Sequence, residues 1–144
     1  MKLKLVSTIF LGWLLSHLAL AQHDLTVSPV KASFPDKPVM KTSSESTMVG
    51  SVISENYTLN REDYHLVLST SHLPSMALTF RSPDALYRDA SEALLREHAG
   101  AQQLSYGSTT VGGKSGAEMC FKGGNGDHGK ARFVLVGEKL VVAE

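Results

Sequence analysis

Between residues 22 and 144, apolar and polar positions mostly alternate in short runs, and one longer stretch breaks that rhythm with a helical period. In the longer stretch Leu86, Ala90, Ala93 and Leu94 recur at i, i+4, i+7 and i+8, which places them on one side of an α-helix. Ser82 is a suitable N-cap, and Pro83 sits at the first helical position, where a missing N–H costs nothing. Asp84 lies near the positive end of the helix dipole, Arg96 and His98 lie near the negative end, and Gly100 stops the helix. This pattern predicts an amphipathic helix from Pro83 to Ala99.

The runs on either side predict strands. Val49 to Tyr57 and Tyr64 to Leu68 precede the helix, the second bounded by the polar "NRED" before it and "STSHLP" after it. After the helix, Leu104 to Val111 alternates loosely. Ala117, Met119 and Phe121 then point one way, with Glu118, Cys120 and Lys122 pointing the other. Lys130 to Val136 carries Ala131, Phe133 and Leu135 on one face. Gly137-Glu138 has the form of a type II′ turn, after which Lys139 to Ala143 pairs back. Ser33 to Met48 is polar, contains Pro35 and Pro38, and reads as an extended entry segment followed by a loop. The expected fold is α+β: an antiparallel sheet of about five to six strands with one main amphipathic helix packed on it. Lys139 to Ala143 is apolar at Leu140, Val141, Val142 and Ala143, so both faces of that strand need cover. A single helix covers only one face. The other is therefore expected to be left to a partner or to self-association.

The first residues follow a different pattern. Lys2 and Lys4 precede an apolar run from Leu5 to Leu20 that ends in Ala19-Leu20-Ala21, the form of a secretory signal peptide cleaved between Ala21 and Gln22. The run is short for a membrane span and is interrupted by Ser7, Thr8, Ser16 and His17. No Cys follows it to carry a lipid. Residues 1–21 are thus expected to be a leader and residues 22–144 a single domain, exported to a periplasmic or extracellular compartment without stable membrane insertion.

Charge and cysteine content narrow the functional classes. The chain has 14 basic and 14 acidic residues, and the leader holds two of the former and none of the latter, so residues 22–144 carry a net charge near −2 with His neutral. With no basic patch, nucleic acid is not an expected partner. Cys120 is the only cysteine, so no internal disulfide can form, and stability must come from an apolar core.

Candidate chemistry is sparse. "GGNGDHGK", Gly123 to Lys130, contains most of a P-loop, but it leads into a predicted strand where a phosphate cradle needs a helix N-terminus. Ala131 stands where a Ser or Thr would hold magnesium. "GSTTVGGKS" fails in a similar way, with Ser108 at the first glycine position. Both glycine-rich segments read as turns. His65, His72, His98 and His128 lack the close spacing of a metal helix. "SPVK", Ser28 to Lys31, matches the S-x-x-K pattern of acyl enzymes without the helix start or partner motifs that the chemistry needs. Asn56-Tyr57-Thr58 is a glycosylation sequon. No catalytic, cofactor-binding or metal-ligating residue is assigned, and no cofactor is expected.

Several short motifs occur in a familiar order. They are Phe34-Pro35-Asp36-Lys37-Pro38, then Tyr64-His65-Leu66-Val67, then Gly113 to Glu118 as G-x-x-G-x-E, and last Arg132 to Leu140 with its Gly137 corner. In this order the chain resembles small exported bacterial domains with the PsbP-like fold. The resemblance implies an antiparallel sheet covered by helices, including a second helix after the last strand, so the domain is expected either to be truncated at Glu144 or to leave one sheet face to a partner. PsbP itself is a non-enzymatic subunit of the photosynthetic oxygen-evolving complex, and no residue match carries that role over. The expected function is therefore an exported, non-catalytic binding or assembly-support domain for an unidentified protein or small-molecule partner. The alternatives are a small hydrolase with an unrecognised site, or a carrier of a small apolar ligand lined by Leu86, Leu94, Phe121 and Phe133.

Overall fold

A computed structural model describes residues 22–144; the expected leader and its end at Ala21 lie outside the described residues. Among these residues nine strands and two helices follow one another. The strands are β1 (His23–Val27), β2 (Val30–Phe34), β3 (Val39–Thr47), β4 (Gly50–Asn60), β5 (His65–His72), β6 (Gln102–Val111), β7 (Lys114–Lys122), β8 (His128–Val136) and β9 (Lys139–Ala143). The helices α1 (Ser75–Phe80) and α2 (Pro83–Glu97) lie between β5 and β6.

Seven strands form one antiparallel sheet in the order β3-β4-β5-β9-β8-β7-β6, and β1-β2 is a separate hairpin. After β5 the chain passes through both helices and re-enters at the far edge as β6. It then returns by successive hairpins until β9 closes against β5. The β8–β9 hairpin is as its sequence predicts. Gly137 has φ +61° and no non-glycine residue among those described has positive φ, a combination that a type II′ turn allows and a type I′ turn does not.

This architecture corrects the expected one. Strands hold 58% of the described residues and helices 17%, so the domain is mainly sheet, not a five- to six-stranded sheet under one helix. Three strands and a short helix were not legible in the pattern. β3 lies within the segment read as entry and loop, and all nine of its residues are exposed. With neither face buried, nothing selects an apolar alternation there. β1 and β2 have five residues each and are separated only by Ser28-Pro29, so their pattern is too short to stand out.

The predicted strand alternation places the core. Met119, Ala131 and Phe133 are fully buried under α2 with Phe121 and Leu140. Ser82 caps α2 through its side-chain oxygen, which accepts from Ala85 N–H at 3.2 Å. The buried line of the helix is rotated from the expected one: Tyr87, Ser91 and Leu94 are buried, while Leu86 and Ala90 pack at the margin. Tyr87 can be buried because its hydroxyl is satisfied, donating to Ser115 C=O at 3.2 Å and accepting from Leu135 N–H at 2.9 Å.

The opposite sheet face is not left to a partner. The β1-β2 hairpin covers it, packing Val30 and Phe34 against Leu59, Leu68, Val134 and Val141 from β4, β5, β8 and β9. In β9, Leu140 is therefore buried on the helix side and Val141 on the hairpin side. The second helix that the resemblance implies is not required to cover the sheet. Among the described residues, no helix is long and apolar enough to cross a membrane.

Candidate functional site

At one end of the sheet, several turns and the last turn of α2 enclose a cleft of about 930 Å³. The β4–β5 connection supplies Arg61, Glu62, Asp63 and Tyr64, and β5 supplies His65 and Leu66. The β7–β8 connection supplies Asn125 and Asp127, and β8 begins with His128, Gly129 and Lys130. His98 enters from the end of α2, and Glu144 follows β9.

One wall is built around a glycine. A Cβ at Gly129 would lie 2.2 Å from the Phe121 ring, so only glycine lets the ring lie across β8. The His98 ring packs on Phe121 with centroids 5.2 Å apart. His98 Nε2 is 2.8 Å from a Glu144 carboxylate oxygen. Glu144 is itself held by two backbone bonds with Val67, each 2.8 Å. The C-terminal end of α2 is thereby tied to the sheet through Phe121, His98 and Glu144.

The other walls are also internally bonded. The β4–β5 turn closes through Arg61 N–H to Tyr64 C=O at 2.9 Å. The Arg61 guanidinium pairs with Asp36, and His65 meets the Asn60 side chain. The Lys37 N–H, together with the Arg61 charge, holds the Asp36 carboxyl below its ordinary range against a smaller effect of burial. Lys130 lies 3.7 Å from Glu118, whose carboxyl is kept low chiefly by the 2.7 Å bond from Arg132 and further by the Lys130 charge.

This geometry decides how the glycine-rich turn can act. Gly123 N–H donates to Asp127 C=O at 2.7 Å, Gly126 N–H to Gly123 C=O at 2.9 Å, and Asp127 N–H to Asn125 Oδ1 at 3.1 Å. The amides that a P-loop would aim at phosphate are used to close the turn. The segment joins β7 to β8, and Lys122 pairs directly with His128.

The cleft brings together three of the four scattered histidines, His65, His98 and His128, with Lys130. His72 is elsewhere, 3.3 Å from Glu138. Among the described residues, no group of three or more His, Cys, Asp or Glu side chains is placed to hold a metal. Cys120 is a half-buried free thiol on β7, outside the cleft. Ser28 lies in the β1–β2 turn and Lys31 on β2, so "SPVK" does not start a helix. Asn56 of the sequon is half-buried in β4, paired with Lys41 and Ser69 on its two sides. Leu86, Leu94, Phe121 and Phe133 belong to the packed core, and of these only Phe121 reaches the cleft. Sequence reasoning missed Arg61, Glu62, Asp63 and Glu144. The available signal was "NRED", four polar residues in a row between strands, which read only as a boundary.

Comparison with protein-family models, with curated proteins and with solved structures returned no match, and nothing in it identifies a PsbP-like relationship.

Proposed function

We propose that this chain is an exported, non-catalytic binding domain whose ligand site is the cleft between the β4–β5 and β7–β8 connections. The carrying observation is a concavity of about 930 Å³, a size suited to a small ligand, with its walls held by their own bonds. Export rests on the leader pattern in residues 1–21.

The lining points to a small polar ligand. Glu62, Asp63 and Asp127 offer acceptors, His65 and His128 offer donors or acceptors, and Tyr64 adds an aromatic surface beside them. A ligand bearing several hydroxyl or amino groups matches that set better than an apolar one, which disfavours the carrier reading. The hydrolase reading has less support, because the lining contains no Ser, Thr or Cys nucleophile.

The test is an amide-resolved NMR titration of residues 22–144 with monosaccharides, polyamines and amino acids. At least one class should shift the amides of Tyr64, His65, Asp127 and His128 together, and Asp127→Ala should weaken that response at least tenfold. Binding of these probes only at other surfaces would overturn the assignment. Turnover of a glycoside or ester that is lost in Asp127→Asn would replace it with an enzymatic one.

A further inference from the structure

The two edges of the seven-stranded sheet differ in how they meet solvent. β6 is interrupted, with its register to β7 shifting between Gln103 and Ser105 so that Leu104 bulges. A bulge twists an edge away from further pairing. β3 has no such break. Its register to β4 runs unbroken from Val39↔Thr58 to Thr47↔Gly50, it contains no proline, and each of its residues is exposed.

The β3–β4 register also determines which backbone groups are free. Thr47 and Gly50 flank a two-residue turn and form the first hydrogen-bonded pair, so the odd-numbered residues of β3 bond to β4. The N–H and C=O groups of Met40, Thr42, Ser44 and Ser46 therefore point to the open side. An added antiparallel strand must bond to these four, which limits the registers that it can adopt.

The only charged residues of β3 are Lys41 and Glu45, placed symmetrically about Ser43 on one face. We propose that β3 pairs antiparallel with β3 of a second copy about a twofold axis at Ser43, joining two sheets edge to edge. In that register Lys41 faces Glu45 of the second copy, and Glu45 faces Lys41 of the second copy. Thr42 exchanges backbone bonds with Ser44 of the second copy. Both ion pairs fall at non-hydrogen-bonded positions, where side chains approach most closely. Moving the axis to Lys41 or to Glu45 sets like charges opposite each other, and moving it to Thr42 or Ser44 leaves both charges without an opposite partner, so only the axis at Ser43 forms both ion pairs.

Apolar exposure is concentrated beside the same edge. Of the eight large exposed apolar residues among those described, Val39, Met40, Met48 and Ile53 all lie on the β3–β4 hairpin, where a second hairpin would shield part of their surface.

Sedimentation velocity on residues 22–144, which contain every element described above, tests the pairing. The chain should sediment as a concentration-dependent dimer that weakens at high salt. K41E and E45K alone should each raise the dimer Kd at least tenfold by setting like charges opposite each other. An equimolar mixture of the two variants should recover a heterodimer, because their charges then complement. Ser44→Pro should also abolish the dimer, because it removes an outward N–H while leaving the β4 ladder intact. A chain that stays monomeric up to about 1 mM, which leaves any pairing weaker than about 4 kcal/mol, would overturn the proposal. So would a dimer that ignores both charge reversals, which would place the contact on another surface.

Discussion

The Tyr87 hydroxyl occupies a position where the sheet would otherwise complete itself. The β7–β8 ladder ends at the pair Gly116↔Val134, and the next pair in that register is Ser115 with Leu135. Their groups do not bond directly. Leu135 N–H donates to the Tyr87 hydroxyl at 2.9 Å, and that hydroxyl donates to Ser115 C=O at 3.2 Å. α2 is thus inserted into the end of the ladder by one buried phenol that is 3% exposed. Tyr87→Phe keeps the ring and its packing and removes only the bridge. Ser115 is exposed, so its carbonyl can turn to water, but Leu135 is half-buried and its N–H has no ready substitute. Leaving a buried donor unsatisfied costs about 1–3 kcal/mol, and partial exposure puts this case at about 1–2 kcal/mol. For a domain of this size the midpoint of thermal unfolding should fall by about 3–8 °C. Urea denaturation followed by far-UV circular dichroism measures the loss, and hydrogen exchange at the Leu135 amide locates it. Tyr106→Phe serves as the control, because its ring contact with Arg88 at 5.0 Å survives the change. A Tyr87→Phe loss below about 0.5 kcal/mol, the range of ordinary surface changes, with unaltered protection at Leu135 would refute the bridging role.

Leu94→Ala removes a core side chain that is 8% exposed and packed in the cluster of Met119 and Phe133, so it should cost about 2–5 kcal/mol in the same urea assay. The protein recovered from the medium or periplasm of a producing cell should begin at Gln22 by intact mass, and a species there still carrying Leu5 to Leu15 would refute cleavage after Ala21.

Local chemistry was legible where it acts on its own neighbourhood. Ser82 and Pro83 start α2 because a cap needs only the next few backbone amides. Gly137 predicts its turn because positive φ is a property of one residue. The alternation of Ala117, Met119 and Phe121 identifies the buried face of β7 because one side of the strand meets the core and the other does not. The line from Tyr87 through Ser91 to Leu94 was misplaced by one position. A helix period favours aliphatic residues, and it cannot register that a tyrosine hydroxyl will find two backbone partners on β7 and β8.

The cleft shows the same division over longer distances. Arg61 to His65, His98, Asn125 to Lys130 and Glu144 are spread over more than half of the chain, and no local spacing links them. They converge because β9 returns to pair with β5, which carries Glu144 to Val67 and places it under His98. Cover for the second sheet face was likewise a tertiary matter. It depends on Val30 and Phe34 folding back over β4, β5, β8 and β9. The main helix, its cap, the β8–β9 turn and the buried faces of the central strands could be read from the residues alone, because each depends on interactions within a few positions. The strand order, the covering hairpin, the open β3 edge and the candidate site could not, because each depends on which distant segments the closing β5–β9 pair brings together.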